Sequence, residues 1–165
     1  MKTLDKGTTG WIVARVWLDA LEETARDFHG IRPRAFVERA YKHATETLLR
    51  ILEEEYGLRP RKATTIKEAV QSYIELCVRV GLFDDASQFK VEELDPYRVE
   101  VEVAVCPYGE SCRDLASQTV PLQNLTCARI GCFRAAVEIL VGIDCNYEMT
   151  FSSPGGPCKG IIEVA

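Results

Sequence analysis

After residue 88 the spacing of apolar side chains in this chain changes from a period of 3.6 to a period of 2. No other feature restricts the fold as strongly, because a helix and a half-buried strand need different apolar periods to cover a core. Arg98 to Val105 alternates cleanly, with Val99, Val101, Val103 and Val105 on one face and Glu100 and Glu102 on the other. That pattern predicts an antiparallel strand with one wet side. Phe89 to Glu93 is a shorter strand placed to pair with it across an Asp95-Pro96 turn. Ile143 to Phe151 alternates again, grouping Ile143, Cys145, Tyr147, Met149 and Phe151. Cys158 to Val164 closes the chain as a strand after the turn SSPGGP.

Ahead of the switch the spacing predicts three helices. Thr8 or Thr9 can cap the first after a short polar lead. It runs to about Phe28 with Trp11, Ile12, Val16, Leu18, Leu21, Ala25 and Phe28 on its apolar side, and Gly30 can stop it. Trp11 and Trp17 stand on different sides of that helix and read as core plus rim. Pro33 opens the second helix. Its stripe runs from Phe36 and Val37 through Tyr41, Leu48 and Leu52 to Tyr56, and Gly57 ends it. Thr65 and Glu68 form a capping box for the third, which buries Ile66, Ala69, Val70, Tyr73, Ile74, Cys77 and Val80 before Gly81. A fourth helix fits Pro121 to Val141, with Gly142 at its end, and Glu110 to Ser117 can form a short one. The order is helices, hairpin, helix, hairpin. It predicts an α+β fold with several helices packed on one side of an antiparallel sheet.

A chain of 165 residues suits one domain, which at that size buries roughly 70% of its unfolded surface. Residues 1–82 are its helical part and residues 89–165 its hairpin–helix–hairpin part. A net charge of −5 argues against a nucleic-acid binder, although Arg32, Arg34, Arg39, Arg59, Arg61 and Lys62 are locally basic. No apolar run approaches the roughly 20 residues that span a bilayer, and the first ten residues lack an apolar signal core. A cytoplasmic protein is the expectation. His29 reads as a surface cap and His43 as a solvated mid-helix residue.

Six of the seven cysteines lie between Cys106 and Cys158. In a reducing compartment such thiols serve metals, thiol chemistry or packing rather than disulfides. Cys106 and Cys112 bracket a turn-forming loop and can face one ion. Cys127 and Cys132, five apart, point about 140° away from each other on a regular helix, so one of the two is expected as a ligand unless the helix starts near Cys127. Cys158 follows a turn and can be held by it. A site drawn from Cys106, Cys112, Cys127 (or Cys132) and Cys158 would suit zinc or an iron–sulfur cluster. Cys77 and Cys145 stand among apolar residues and read as core. If the chain is an enzyme, Cys106 is the candidate nucleophile and Glu148 the candidate proton carrier.

The stretch from about residue 95 to the end resembles the small-molecule-binding domain of the 4-vinyl reductase family, and is also similar to the L-2-amino-thiazoline-4-carboxylic acid hydrolase-like family. The matching features are a strand ending in Cys106-Pro107-Tyr108, a helix start with Cys127 and Gly131, a helix end at Gly142, a strand with Glu148 and Thr150, and Gly156-x-Cys158 before an apolar strand. The resemblance implies a pocket between helices and sheet, a bound small molecule and a homodimer. Tyr108 and Cys132 are the candidate cofactor-binding residues of this chain. In the sensor branch it implies a zinc site of three cysteines and a glutamate. Cys127 and Cys158 match two of those cysteines. The third falls near Thr150 here, so Cys145, or Cys106 with Cys112, would have to replace it. In the hydrolase-like branch Cys106 is the match, and no catalytic base carries over. An assembly protein, with Arg32 to Arg39 as partner surface, is a further alternative.

Overall fold

The computed structural model describes residues 6–29, 34–106, 108, 126–152 and 157–165. Within them the chain runs α1 (Lys6–His29), α2 (Arg34–Tyr56), α3 (Ile66–Arg79), a 3-10 turn (Ala86–Gln88), β1 (Phe89–Asp95), β2 (Arg98–Val103), α4 (Ala128–Val141), β3 (Cys145–Ser152) and β4 (Cys158–Val164). The strands form one antiparallel sheet in the order β1-β2-β4-β3. Helices α3 and α4 lie on one face of it, and α2 packs on α4. This is the α+β arrangement that the change of period requires.

Alternation decides which face is covered. Val99, Val101 and Val103 of β2, Cys145, Tyr147 and Met149 of β3, and Ile162 of β4 all point inward and are buried. They meet Val70, Tyr73 and Cys77 of α3 and Ile130, Phe133 and Val137 of α4 in one apolar cluster. The outer face is wet and charged, with Lys159 bridging Glu102 at 3.0 Å and Lys90 paired to Glu92 at 2.8 Å. Gly160 faces inward on β4, where a Cβ would stand 2.9 Å from the Glu148 carbonyl and 3.2 Å from Ile130. The bare backbone there lets α4 settle on the sheet.

Several boundaries differ from those expected. Strand β2 stops at Val103, and Val105 is 61% exposed, because the chain leaves the ladder before it. Strand β1 runs on to Asp95. Helix α4 begins at Ala128, not Pro121, and Cys127 is its N-cap; residues 121–125 lie outside the described residues. So do Gly30, Pro33, Pro107, Cys112, the expected short helix at 110–117 and Gly156. Glu68 takes a capping role one residue earlier than expected: its carboxylate accepts from the amide and hydroxyl of Thr64, while the Thr65 hydroxyl accepts from the Glu68 amide.

The largest departure is α1. Its apolar stripe was expected to be core, yet Trp11 is 37% exposed, Trp17 69% and Val16 60%. Among the described residues only Ala25 of α1 is fully buried, in a small cluster with Val37 and Tyr41 of α2. Neither tryptophan is a core residue. The basic stretches are largely neutralised: Arg34 pairs with Glu38, Arg59 with Glu53 and Arg61 with Glu75. No described helix is long and apolar enough to cross a membrane.

Candidate functional site

Where α1 to α4 converge, the packing leaves a cavity of about 170 Å³. Trp11, Thr45, Leu48, Tyr73, Phe83, Tyr108, Arg129 and Cys132 are among the residues that line it. No strand residue does, so the cavity lies among helices and loops rather than between helices and sheet. The reason is local: Ile130, Phe133 and Val137 of α4, with Val70, Tyr73 and Cys77 of α3, pack against the inner face of the sheet. Tyr108 and Cys132, two candidates from the sequence, line this same cavity. Trp11 meets Tyr108 with ring centroids 5.6 Å apart and forms one wall. Leu48 and Leu82 also line an adjoining open trough of about 560 Å³ with Leu52, Leu58 and Val80, and no charged side chain lines it among the described residues.

Arg129 supplies the charge. It is the second residue of α4, and its guanidinium lies 4.2 Å from the Phe83 ring centre, 5.7 Å from Tyr108 and 5.8 Å from Phe89. Aromatic faces attract a cation but accept no conventional hydrogen bond. Arg129 Nε is buried with no hydrogen-bond partner among the described residues. Sequence reasoning passed this residue over. One signal was present: a cation in the first turn of a helix faces the positive end of the helix dipole, so that position disfavours arginine.

The thiols divide into separate neighbourhoods. Cys127 and Cys158 are buried together, and the Cys158 thiol donates to the Cys127 sulfur. That bond draws Cys127 below the usual thiol range against the cost of burial, helped by the Ile130 amide, which donates to its sulfur at 3.4 Å. The Cys127 amide in turn donates to the Tyr147 hydroxyl at 3.0 Å. Cys106 lies nearby. Burial pushes its thiol up, and the neighbouring Cys127 raises it further, while the Tyr108 amide and Arg129 pull it back. This is the opposite of an activated nucleophile. Burial pushes the Cys132 thiol up; it is hydrogen-bonded to Thr45, whose hydroxyl donates to the Tyr41 carbonyl at 2.9 Å. Although α4 starts late, Cys127 and Cys132 therefore have different hydrogen-bond partners. Cys77 and Cys145 are core, and burial holds them at about 12 and about 11.

Cys112 lies outside the described residues. Among the described residues no group of three or more His, Cys, Asp or Glu side chains is placed to hold a metal ion. Glu148 is exposed on the outer face of β3, away from the neighbourhood Cys106 shares with Cys127 and Arg129. His43 is exposed and 3.3 Å from Glu46.

No protein-family model matches the chain, and no curated protein matches it. Two solved structures are similar in outline. One comes from work on heme distortion in the H-NOX family (TM-score 0.47), the other from work on heme redox potential and protein-induced porphyrin distortion (TM-score 0.48). Each is 10% identical, and each alignment covers 99% of this chain and 74% of the other. Likeness at that level carries nothing about ligand or reaction.

Proposed function

We propose that this chain is a small-molecule-binding domain, with its ligand in the cavity beside Arg129. The supporting observation is a partly open, mostly apolar space whose described lining includes one cation (Arg129), the hydroxyl-bearing Thr45, Tyr73 and Tyr108, and one thiol (Cys132). Apolar walls with a few placed polar groups are the usual character of a ligand site. The reading agrees with what the 4-vinyl reductase-type resemblance implies, in a different position on the fold. A sensor or carrier role follows if binding alters the packing of α1, which contributes Trp11 to the wall.

The test is thermal denaturation of the full chain against single-ring and short-chain compounds, followed by tryptophan fluorescence. A binder should raise the midpoint and change the emission of Trp11, and Trp11→Phe should remove that change. If no compound raises the midpoint, the reading fails.

A cysteine-held zinc or iron–sulfur centre is the second reading. The Cys127–Cys158 contact favours it, with Cys106 near Cys127. Such a centre would need Cys112 as well. Metal analysis and the visible spectrum of anaerobically purified protein test it, and metal-free, colourless protein would end it. The homodimer that the resemblance implies has Val13, Val16 and Trp17 of α1 as an exposed apolar surface. Sedimentation equilibrium tests that.

A further inference from the structure

We propose that the cavity binds a carboxylate carried on a small apolar body, with the Arg129 guanidinium as the partner of the anion. This rests on the small-molecule reading above and adds the chemical class of the ligand.

The charge pattern comes first. Arg34, Arg50, Arg59, Arg61 and Arg134 each meet a carboxylate. Arg129 meets none among the described residues. A guanidinium N–H withdrawn from water without an acceptor is unfavourable, and Arg129 Nε is in that state. The rings of Phe83 and Tyr108 and a hydrogen bond to the Cys106 sulfur offset the loss of water around the cation but leave Nε unmatched. The first turn of α4 adds its own partial positive charge at the same place. An anion in the cavity would meet the part of the Arg129 side chain that lines it and balance both charges. A planar carboxylate matches the guanidinium fork.

Size and polarity narrow the class. A cavity of about 150 Å³ with apolar walls is known to hold benzene, and this one is about 170 Å³. It has room for one ring or a short chain beside the anion. The adjoining trough, reached past Leu48 and Leu82, lets a chain continue. Phosphate fits less well: a phosphate monoester carries about −1.5 to −2 charge at pH 7, and Arg129 is the one cation lining the cavity among the described residues.

The experiment is calorimetric titration of the full chain with benzoate, octanoate, the amide of each, and inorganic phosphate. At least one carboxylate should bind about tenfold or more tightly than its amide, the size expected of a charged hydrogen bond. A preference for benzoate assigns a ring and a preference for octanoate a chain; either supports the proposal. Arg129→Met should abolish the advantage over the amide. Arg129→Lys keeps the charge, should retain part of the advantage, and carries the test if Arg129→Met does not fold. Equal binding of acid and amide, an advantage that survives in either variant undiminished, or tighter binding of phosphate would overturn the carboxylate assignment and leave the pocket standing. No binding by any of the five would overturn both.

Discussion

Two side chains in α4 show how much one position can hold. Arg134 and Glu138 form an ion pair at 2.7 Å with only 9% of each side chain exposed. Arg134 also donates to the Cys145 carbonyl at 3.1 Å and the Glu38 carbonyl at 3.4 Å, and Lys42 meets Glu138 at 3.1 Å. This pair ties α4 to α2 and to the start of β3. Removing one member leaves a buried charge without a partner, so Glu138→Leu should cost about 3–5 kcal/mol by urea denaturation. Gly131 acts by what it lacks: a Cβ there would fall on the ring of Tyr41. Gly131→Ala should therefore cost about 1–3 kcal/mol, the usual penalty for overpacking, although alanine is the better helix former. A neutral or stabilised variant would mean that Tyr41 moves aside without loss.

At the scale of elements, the N-terminal end of α4 is tied to the sheet by a hydrogen bond. The Cys127 N–H, at the cap, donates to Tyr147 of β3, and both residues are buried. Tyr147→Phe keeps the ring and orphans that N–H, and should lower stability by about 1–3 kcal/mol; an unchanged denaturation midpoint would show that water replaces the hydroxyl. The helices and strands themselves were legible in residue spacing: α3, β4 and the core role of Cys77 and Cys145 stand where the periods put them. Helix α1 has the same kind of apolar stripe, and it is mostly exposed. Period states that a helix has an apolar side. It does not state what covers that side, which depends on where the neighbouring helices end.

For the molecule as a whole, the buried thiols predict a response to alkali. Cys77 and Cys145 titrate near 12 and 11 in the folded chain, against an ordinary value of 9.0. Burial also pushes Tyr73, Tyr108 and Tyr147 up. Between pH 9 and 12 the unfolded chain therefore holds fewer protons than the folded one, and stability must fall as pH rises. Each thiol steepens that fall by at most about 1.4 kcal/mol per pH unit. Cys127, drawn downward, opposes it. The urea midpoint should be level from pH 7 to 8.5 and clearly lower at pH 10.5. A midpoint that holds or rises over that range would mean that these thiols reach water in the folded state.

Apolar periodicity, glycine stops and a clean change of period were enough to specify helices on one side of an antiparallel sheet, because each of those signals is local and repeats every few residues. The grouping of side chains is different. Tyr108, Cys132 and Arg129 share a cavity with Thr45 and Phe83 only because α2, α3 and α4 cross there, and Cys127 meets Cys158 only because a helix cap and a strand start are brought together across the fold. Contacts between residues so far apart along the chain leave no mark on spacing. They arise when several elements bury their apolar faces at once, and that packing alone decided where Arg129 would sit.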